Sequence, residues 1–229
     1  MMILKEWEDL PEQMRTDAVR PYYDAIRARK GALAVKRVFD IVASLVLLVI
    51  LLPVFLLLAI AIKLDSPGPV FFRQVRVTQY GKTFRIFKFR TMVQNAEKLG
   101  AQVTVGKDPR VTRVGNFIRN CRLDEICQLL NVLTGDMTFV GTRPEVPKYV
   151  QAYTPEMWAT LLLPAGITSE ASILYKDEAA LLEQAEDVDA VYEAQVLPGK
   201  MKFNLDAIKH FSCRADVRTM FRTVFAVLR

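Results

Sequence analysis

Apolar positions dominate the chain between Ile41 and Ile62, 22 consecutive residues without a charge in which only Ser44 and Pro53 are not hydrophobic. A straight helix of that length reaches about 33 Å, enough for a hydrocarbon core of about 30 Å. Proline inside a helix removes a hydrogen bond and collides with the preceding turn, at about 3 kcal/mol. Bent at Pro53, the run divides into Ile41–Leu52 and Val54–Ile62, arms that each reach about 14–18 Å. Neither arm crosses alone, so a bent hairpin would enter and leave by one face. Basic residues flank both ends, Lys36 and Arg37 before and Lys63, Arg73 and Arg76 after, which suits two ends on the cytoplasmic side. Membrane helices also tolerate proline, and a kinked span satisfies the same pattern.

The remaining periodicities are shorter. Pro11 to Lys30 has helical composition, interrupted at Pro21. Asp65-Ser-Pro-Gly-Pro69 is a turn cluster that ends the apolar segment. Val70–Val77 and Thr83–Phe89 read as strands around a turn at Tyr80-Gly81, with Lys88 and Arg90 on one face and Phe87 and Phe89 on the other. From Arg113 to Leu133 the pattern turns helical, Ile126, Leu129, Leu130 and Leu133 recurring at three and four, and Thr134-Gly135-Asp136 ends it. Residues 177–193 are acidic and read as a solvated helix face. Val217, Met220, Phe221, Val224, Phe225 and Leu228 form a last helical stripe beside Arg214, Arg218 and Arg222. Such a helix suits a membrane interface or the domain's own core.

Charge sharpens this outline. The chain has 229 residues and a net charge of +6, but residues 63–122 alone carry 13 Lys/Arg against 3 Asp/Glu. A basic block directly after an apolar segment favours anionic lipid or phosphate over nucleic acid. Three cysteines, Cys121, Cys127 and Cys213, lack metal spacing and read as reduced packing residues. His210 is the only histidine, no zinc site is spelled out, and neither a dinucleotide nor a Walker loop is present.

Within the basic stretch, Asp124 and Glu125 are adjacent acids in Arg122-Leu-Asp-Glu-Ile126. A carboxylate can attack phosphorus or hold Mg²⁺ that bridges substrate phosphates. Either role needs cations nearby, and Arg113, Arg119 and Arg122 are close in sequence. Surface acids near a helix start are also common and mildly stabilising without any chemistry. In Val140-Gly-Thr-Arg-Pro144-Glu, glycine and proline fix a loop that presents Arg143, suited to bidentate phosphate contact or to a solvated turn. Lys88 and Arg90 could likewise grip phosphate.

Taken in order, KRVFD at 36–40, the proline-containing apolar run, DSPGPVFFRQVR at 65–76, FKFRTM at 87–92, DPRVTRVGNFIR at 108–119, RLDEICQLLNVLTGDM at 122–137 and VGTRPEVP at 140–147 resemble the bacterial sugar transferase family, the monotopic phosphoglycosyl transferases. The resemblance runs from about Lys36 to the end and is to the small, minimal form. It implies transfer of a sugar-1-phosphate from a UDP-sugar to polyprenyl phosphate, releasing UMP, as the first membrane step of glycoconjugate or exopolysaccharide assembly. By motif position Asp124 is the nucleophile and a ligand of Mg²⁺, Glu125 its partner, and Arg119 and Arg143 phosphate-binding residues. It also implies a re-entrant helix-break-helix at 36–63, bent at Pro53 with Lys36 and Arg37 at the membrane interface, in the inner membrane. Leu52, Cys127 and Thr142 stand where family members often have serine, proline and proline, and PAGITSEAS at 164–172 departs from the usual pattern.

The expectation is therefore an α/β, membrane-associated enzyme: an N-terminal helical extension at 1–35, the membrane helix at 36–63, and a compact catalytic domain at 64–229 facing the cytoplasm, with a small β element and amphipathic interfacial helices. Its expected partners are UDP-sugar, polyprenyl phosphate and membrane phospholipid, and no nucleic acid; monomer and homo-oligomer stay open. A glycosyltransferase releasing UDP, or a non-catalytic membrane-anchored binding protein, fits the same residues without the resemblance.

Overall fold

The computed structural model of the protein describes residues 4–96, 108–175 and 187–228. It is mixed α/β, helices surrounding two small two-stranded sheets. Helix α1, Arg20–Arg27, precedes α2, Lys30–Asp65. The apolar run lies within α2, which continues unbroken through Pro53. The helix takes the proline without ending: losing one backbone donor and accommodating one ring is a local cost, and the surrounding turns keep their bonds.

Strands β1, Phe71–Val77, and β2, Thr83–Phe89, form the expected hairpin, Phe72 opposite Lys88 and Val77 opposite Thr83. Its turn holds Tyr80 and Gly81 at positive φ, 60° and 74°. Both faces of β2 are covered. Phe84 and Ile86 pack on one cluster with Leu129, Val132 and Met137. Phe89 packs on another with Leu58, Ile62, Ile118 and Cys127. The helix expected over 113–133 is instead three pieces: α3, Arg113–Asn120, a 3-10 turn, Leu123–Gln128, and α4, Leu129–Thr134. Gly115 is required in α3 because the helix lies backbone to backbone on residue 91; a Cβ there would sit 2.0 Å from the Thr91 carbonyl oxygen. After α4, closed by Gly135 at φ 92°, β3, Met137–Val140, pairs in parallel with β4, Ala165–Thr168. Between and beyond them come α5, Pro147–Val150, α6, Glu170–Leu174, α7, Val188–Val191, a π-helical turn at Tyr192–Val196, α8, Leu197–Lys209, and α9, Cys213–Leu228.

Residues 4–33 do not stand apart from the rest. Met14, Val19, Tyr23 and Ile26 are fully buried and share one core with Tyr149, Leu162, Leu197 and Met201. Lys36 and Arg37, expected at the membrane interface, are inside the protein, 5% and 7% exposed. Arg37 donates to the Val132 and Leu133 carbonyls in the last turn of α4, the first of which also accepts from the Gly135 N–H, and its charge suits the negative end of that helix. Lys36 donates to the Val140 carbonyl (2.9 Å) and pairs with Asp216 of α9. Asp40, one turn on, accepts from Thr138 Oγ1 (2.7 Å). These side chains clamp the first half of α2 to α4, β3 and α9. At the other end, Asp65 Oδ2 accepts from Val114 N (2.9 Å) and so anchors α2 to the start of α3.

Between the clamps the outer face of α2 is apolar and bare, Val49 73% and Leu57 67% exposed. By length and composition α2 is the one described helix able to cross a membrane. In α9, Met220 packs on the sheet cluster while Val217, Phe221, Val224 and Phe225 face outward. Asp177, Glu178, Glu183 and Glu186 of the acidic run, and the Leu228 side chain, lie outside the described residues.

Candidate active site

Asp124 and Glu125 sit in the first turn of Leu123–Gln128, entered through Arg122 in the left-handed conformation, φ 54°. A non-glycine residue there costs about 1–3 kcal/mol. It ends α3 and starts a new screw, so both acids meet β2. Lys88 of β2 donates to Glu125 Oε1 (2.8 Å) and lies 3.9 Å from Asp124 Oδ2. The register of Lys88 is itself pinned: Phe87 N donates to Asn131 Oδ1 (2.8 Å) and Asn131 Nδ2 to the Arg85 carbonyl (3.2 Å). The buried Asn131 amide of α4 thus bonds the edge of β2 as a neighbouring strand would.

Arg143 closes the group from the β3 side. It grips Glu125 with both guanidinium nitrogens, Nη1 to Oε2 at 2.9 Å and Nη2 to Oε1, the bidentate geometry in which arginine binds carboxylate most strongly. Burial alone would raise the Glu125 carboxyl, but the charges of Arg143 and Lys88 outweigh it and hold the group well below its ordinary 4.5. Asp124 is shifted the other way: burial raises its carboxyl, and the charge of Glu125 adds to this, against Lys88 and Arg119. The two acids therefore differ in kind. Glu125 is a charge neutralised in place, and Asp124 is a charge held at a cost.

Asp124 borders a cavity of about 410 Å³ whose wall also carries Lys88, Arg73, Arg76, Arg110 and Arg119. Arg119 of α3 donates Nε to Thr91 Oγ1 (2.8 Å), and Asp108 is pulled down to about 2 chiefly by hydrogen bonds from Arg110. With Arg90, six cations line the cavity around the Asp124 carboxylate, which suits a ligand with several negative oxygens. Of the residues picked from the sequence, Asp124, Glu125, Lys88, Arg119 and Arg143 come together here. Arg143 faces Glu125 and is not among the described residues lining the cavity. Arg90 borders the cavity, but its guanidinium is buried and donates to the carbonyls of Ser66 and Pro67 (2.7 Å each), closing the turn after α2. Pro53 lies on α2, away from the carboxylates in sequence and outside the residues that line the cavity. Sequence reasoning took Arg73 and Arg76 as a membrane flank and gave Arg110 and Thr91 no role at the site; the dense positive charge of residues 63–122 was the signal for the three arginines.

Among the described residues no cluster of three acids, histidines or cysteines could hold a metal. Magnesium does not require one, since it commonly takes one or two carboxylates together with substrate phosphates. Glu125 is committed to Arg143 and Lys88, so the donor set fits an ion carried by a diphosphate and touched by Asp124 alone.

A family model described as bacterial sugar transferase matches residues 31–229. The chain is 37% identical over 219 residues to a UDP-glucose:undecaprenyl-phosphate glucose-1-phosphate transferase of Escherichia coli, covering 93% of this chain and 44% of that protein. It is 38% identical over 198 residues to a UDP-N-acetylgalactosamine-undecaprenyl-phosphate N-acetylgalactosaminephosphotransferase of Aeromonas hydrophila, covering 85% and 44%. A UDP-glucose:undecaprenyl-phosphate glucose-1-phosphate transferase of Caulobacter vibrioides is 37% identical over 198 residues, covering 84% and 69%. The chain thus spans less than half the length of the first two. The family model over residues 31–229 and relatives at 37–38% identity agree: the chain belongs to the bacterial sugar transferase family.

Proposed function

We propose that the protein transfers a sugar-1-phosphate from a UDP-sugar to polyprenyl phosphate, giving polyprenyl-diphosphate sugar and UMP. The observation that carries this reading is Asp124, a partly buried carboxylate among cations on the wall of a cavity of nucleotide-sugar size. An Asp124 oxygen attacks the phosphorus that bears the sugar. The Asp–O–P bond forms, the bond from that phosphorus to the bridging oxygen breaks, and UMP leaves with the electron pair. A phosphate oxygen of the lipid then attacks the same phosphorus and returns the carboxylate. Lys88 and Arg119 hold the phosphate oxygens and lower the repulsion between a diphosphate and an anionic nucleophile. Glu125 keeps Lys88 and Arg143 in register. Magnesium bound with the donor and held by Asp124 would supply further neutralisation of the leaving phosphate. Purified protein given UDP-sugars and undecaprenyl phosphate should release UMP; release of UDP would support sugar transfer without phosphate and overturn this reading. The relatives differ in sugar, glucose in two names and N-acetylgalactosamine in the other, so the donor is to be found by screening.

The anchoring of α2 supports a re-entrant membrane arrangement. Lys36, Arg37 and Asp40 bind one folded body at one end and Asp65 binds it at the other. A straight trans-bilayer span would separate those ends by the bilayer. A continuous helix bent about Pro53, its bare apolar face in one leaflet beside the outward face of α9, keeps both ends and the cavity on the cytoplasmic side of the inner membrane, in contact with phospholipid. With Cys121 and Cys213 replaced by serine, Val35→Cys and Leu64→Cys, positions 62% and 84% exposed, should both react with an impermeant maleimide from the cytoplasmic side. Reaction from opposite sides would exclude the re-entrant arrangement and leave the chemistry untouched.

A further inference from the structure

The loop that carries Arg143 is held from behind by a second polar layer that does not line the cavity. Glu145, two residues on, is 6% exposed, and its carboxylate accepts from the Tyr192 hydroxyl at 2.7 Å. Lys200 donates to the same hydroxyl oxygen at 3.0 Å and lies 3.6 Å from Glu145 Oε1; Tyr192 and Lys200 are each 4% exposed. The backbone around Arg143 is tied as well, Arg76 Nη1 donating to the Pro144 carbonyl (3.2 Å) and Val77 N to the Glu145 carbonyl (2.9 Å). On the far side the Tyr192 ring lies 4.4 Å from that of Tyr149, whose hydroxyl donates to Asp189 (2.6 Å). Tyr192 opens the π-helical turn Tyr192–Val196. Such wide turns are rare and concentrate near functional sites.

Stability alone is a poor account of this layer. Burying a lysine and a glutamate costs several kcal/mol per ion, and an apolar set of the same shape is often as stable or more so. What the layer supplies is position. The Tyr192 hydroxyl donates a hydrogen bond to Glu145 and accepts one from Lys200, so both partners fix its orientation, and Glu145 is fixed in turn by its carboxylate and its carbonyl. Arg143 therefore leaves a rigid support and meets Glu125 as a fork.

We propose that Glu145, Tyr192 and Lys200 are positioning residues for the Arg143–Glu125 pair, joining the π-helical turn and α8 to the reacting carboxylate. The inference rests on the reading of Asp124 and Glu125 given above. Misplacement of about 1 Å in a supporting group can cost about a hundredfold in rate, and a lost hydroxyl is a milder perturbation. Tyr192→Phe is expected to fold normally, to lower kcat about tenfold and to leave the donor KM within about twofold. In an Arg143→Ala background the same substitution should change kcat less than about twofold, because its effect passes through Arg143. An equal loss in both backgrounds, or none in the native one, overturns the proposal. Glu145→Gln, which keeps an acceptor for Tyr192, should retain more activity than Glu145→Leu; the reverse order counts against it. A readout without substrate separates this proposal from the reaction itself. Modification of Arg143 by phenylglyoxal, followed by peptide mass spectrometry, should be faster in Tyr192→Phe than in the native protein. An unchanged rate sinks the positioning role even if UMP release is confirmed, and a faster one supports it even if UMP release fails.

Discussion

Asp124→Asn is expected to eliminate covalent capture of the phosphosugar and to lower turnover by about 10⁴-fold or more, the scale of losing a nucleophile. Asparagine keeps the shape of the side chain but has no anionic oxygen to attack phosphorus. Its effect on the fold should be the opposite of its effect on activity. Burial raises the Asp124 carboxyl above its ordinary 3.8, so the charged form is disfavoured in the folded state relative to the unfolded chain. A neutral amide removes that cost, and the variant should melt at the native temperature or above it. Incubation with donor labelled in the sugar phosphate, without lipid acceptor, should leave label on the native protein and none on the variant. Label retained by Asp124→Asn, or absent from the native protein, would end the assignment of Asp124 as nucleophile. A large drop in melting temperature would show that the carboxylate has a structural partner instead.

How much of this was visible in the sequence depends on how far apart the interacting residues lie. The hairpin was legible because alternation and the Tyr80-Gly81 turn are local, and its second strand falls at Thr83–Phe89 as expected. Asp124 and Glu125 stood out as acids in a basic stretch. Lys88 and Arg143 stood out as residues able to grip phosphate, but their pairing with Glu125 did not, because they lie 37 and 18 residues from it and nothing local marks either pairing. The helix expected over 113–133 failed at Arg122. Periodicity records which side chains share a face but not a single left-handed residue that resets the screw, and that residue creates the turn on which the acids sit. Lys36 and Arg37 were read as an interfacial flank because charged residues beside an apolar run usually are. The structure spends them on the carbonyls at the end of α4 and on Asp216. Residues 4–33 carried no chemical signal and proved to be core, since burial against a distant surface leaves no short-range trace beyond amphipathicity.

Glu125→Gln should reverse the pattern expected for Asp124, losing stability as well as activity. Its carboxylate is gripped by Arg143 and Lys88. An amide can still accept at one oxygen, but it turns a donor toward one of the cations, and Lys88 and Arg143 lose the charge that Glu125 supplied to both. Breaking a buried ion pair costs about 3–5 kcal/mol; because Glu125 keeps 17% side-chain exposure, about 3 kcal/mol is expected, or about 6–12 °C in melting temperature for a domain of this size. Turnover should fall about a hundredfold, because Lys88 loses its place beside Asp124. The pH dependence has a definite sign. The folded carboxyl titrates well below its ordinary 4.5, so the folded state binds fewer protons than the unfolded chain between those two values. Its stabilisation is complete above about pH 4.5 and is lost as pH falls through the folded value. Melting curves of the native and Glu125→Gln proteins, taken from pH 7 to pH 3, should therefore differ by a constant gap down to about pH 4.5 and converge below it. A gap that widens on acidification would show that the charge of Glu125 opposes the fold, and the separation of the pair into one reactive and one supporting carboxylate would be wrong.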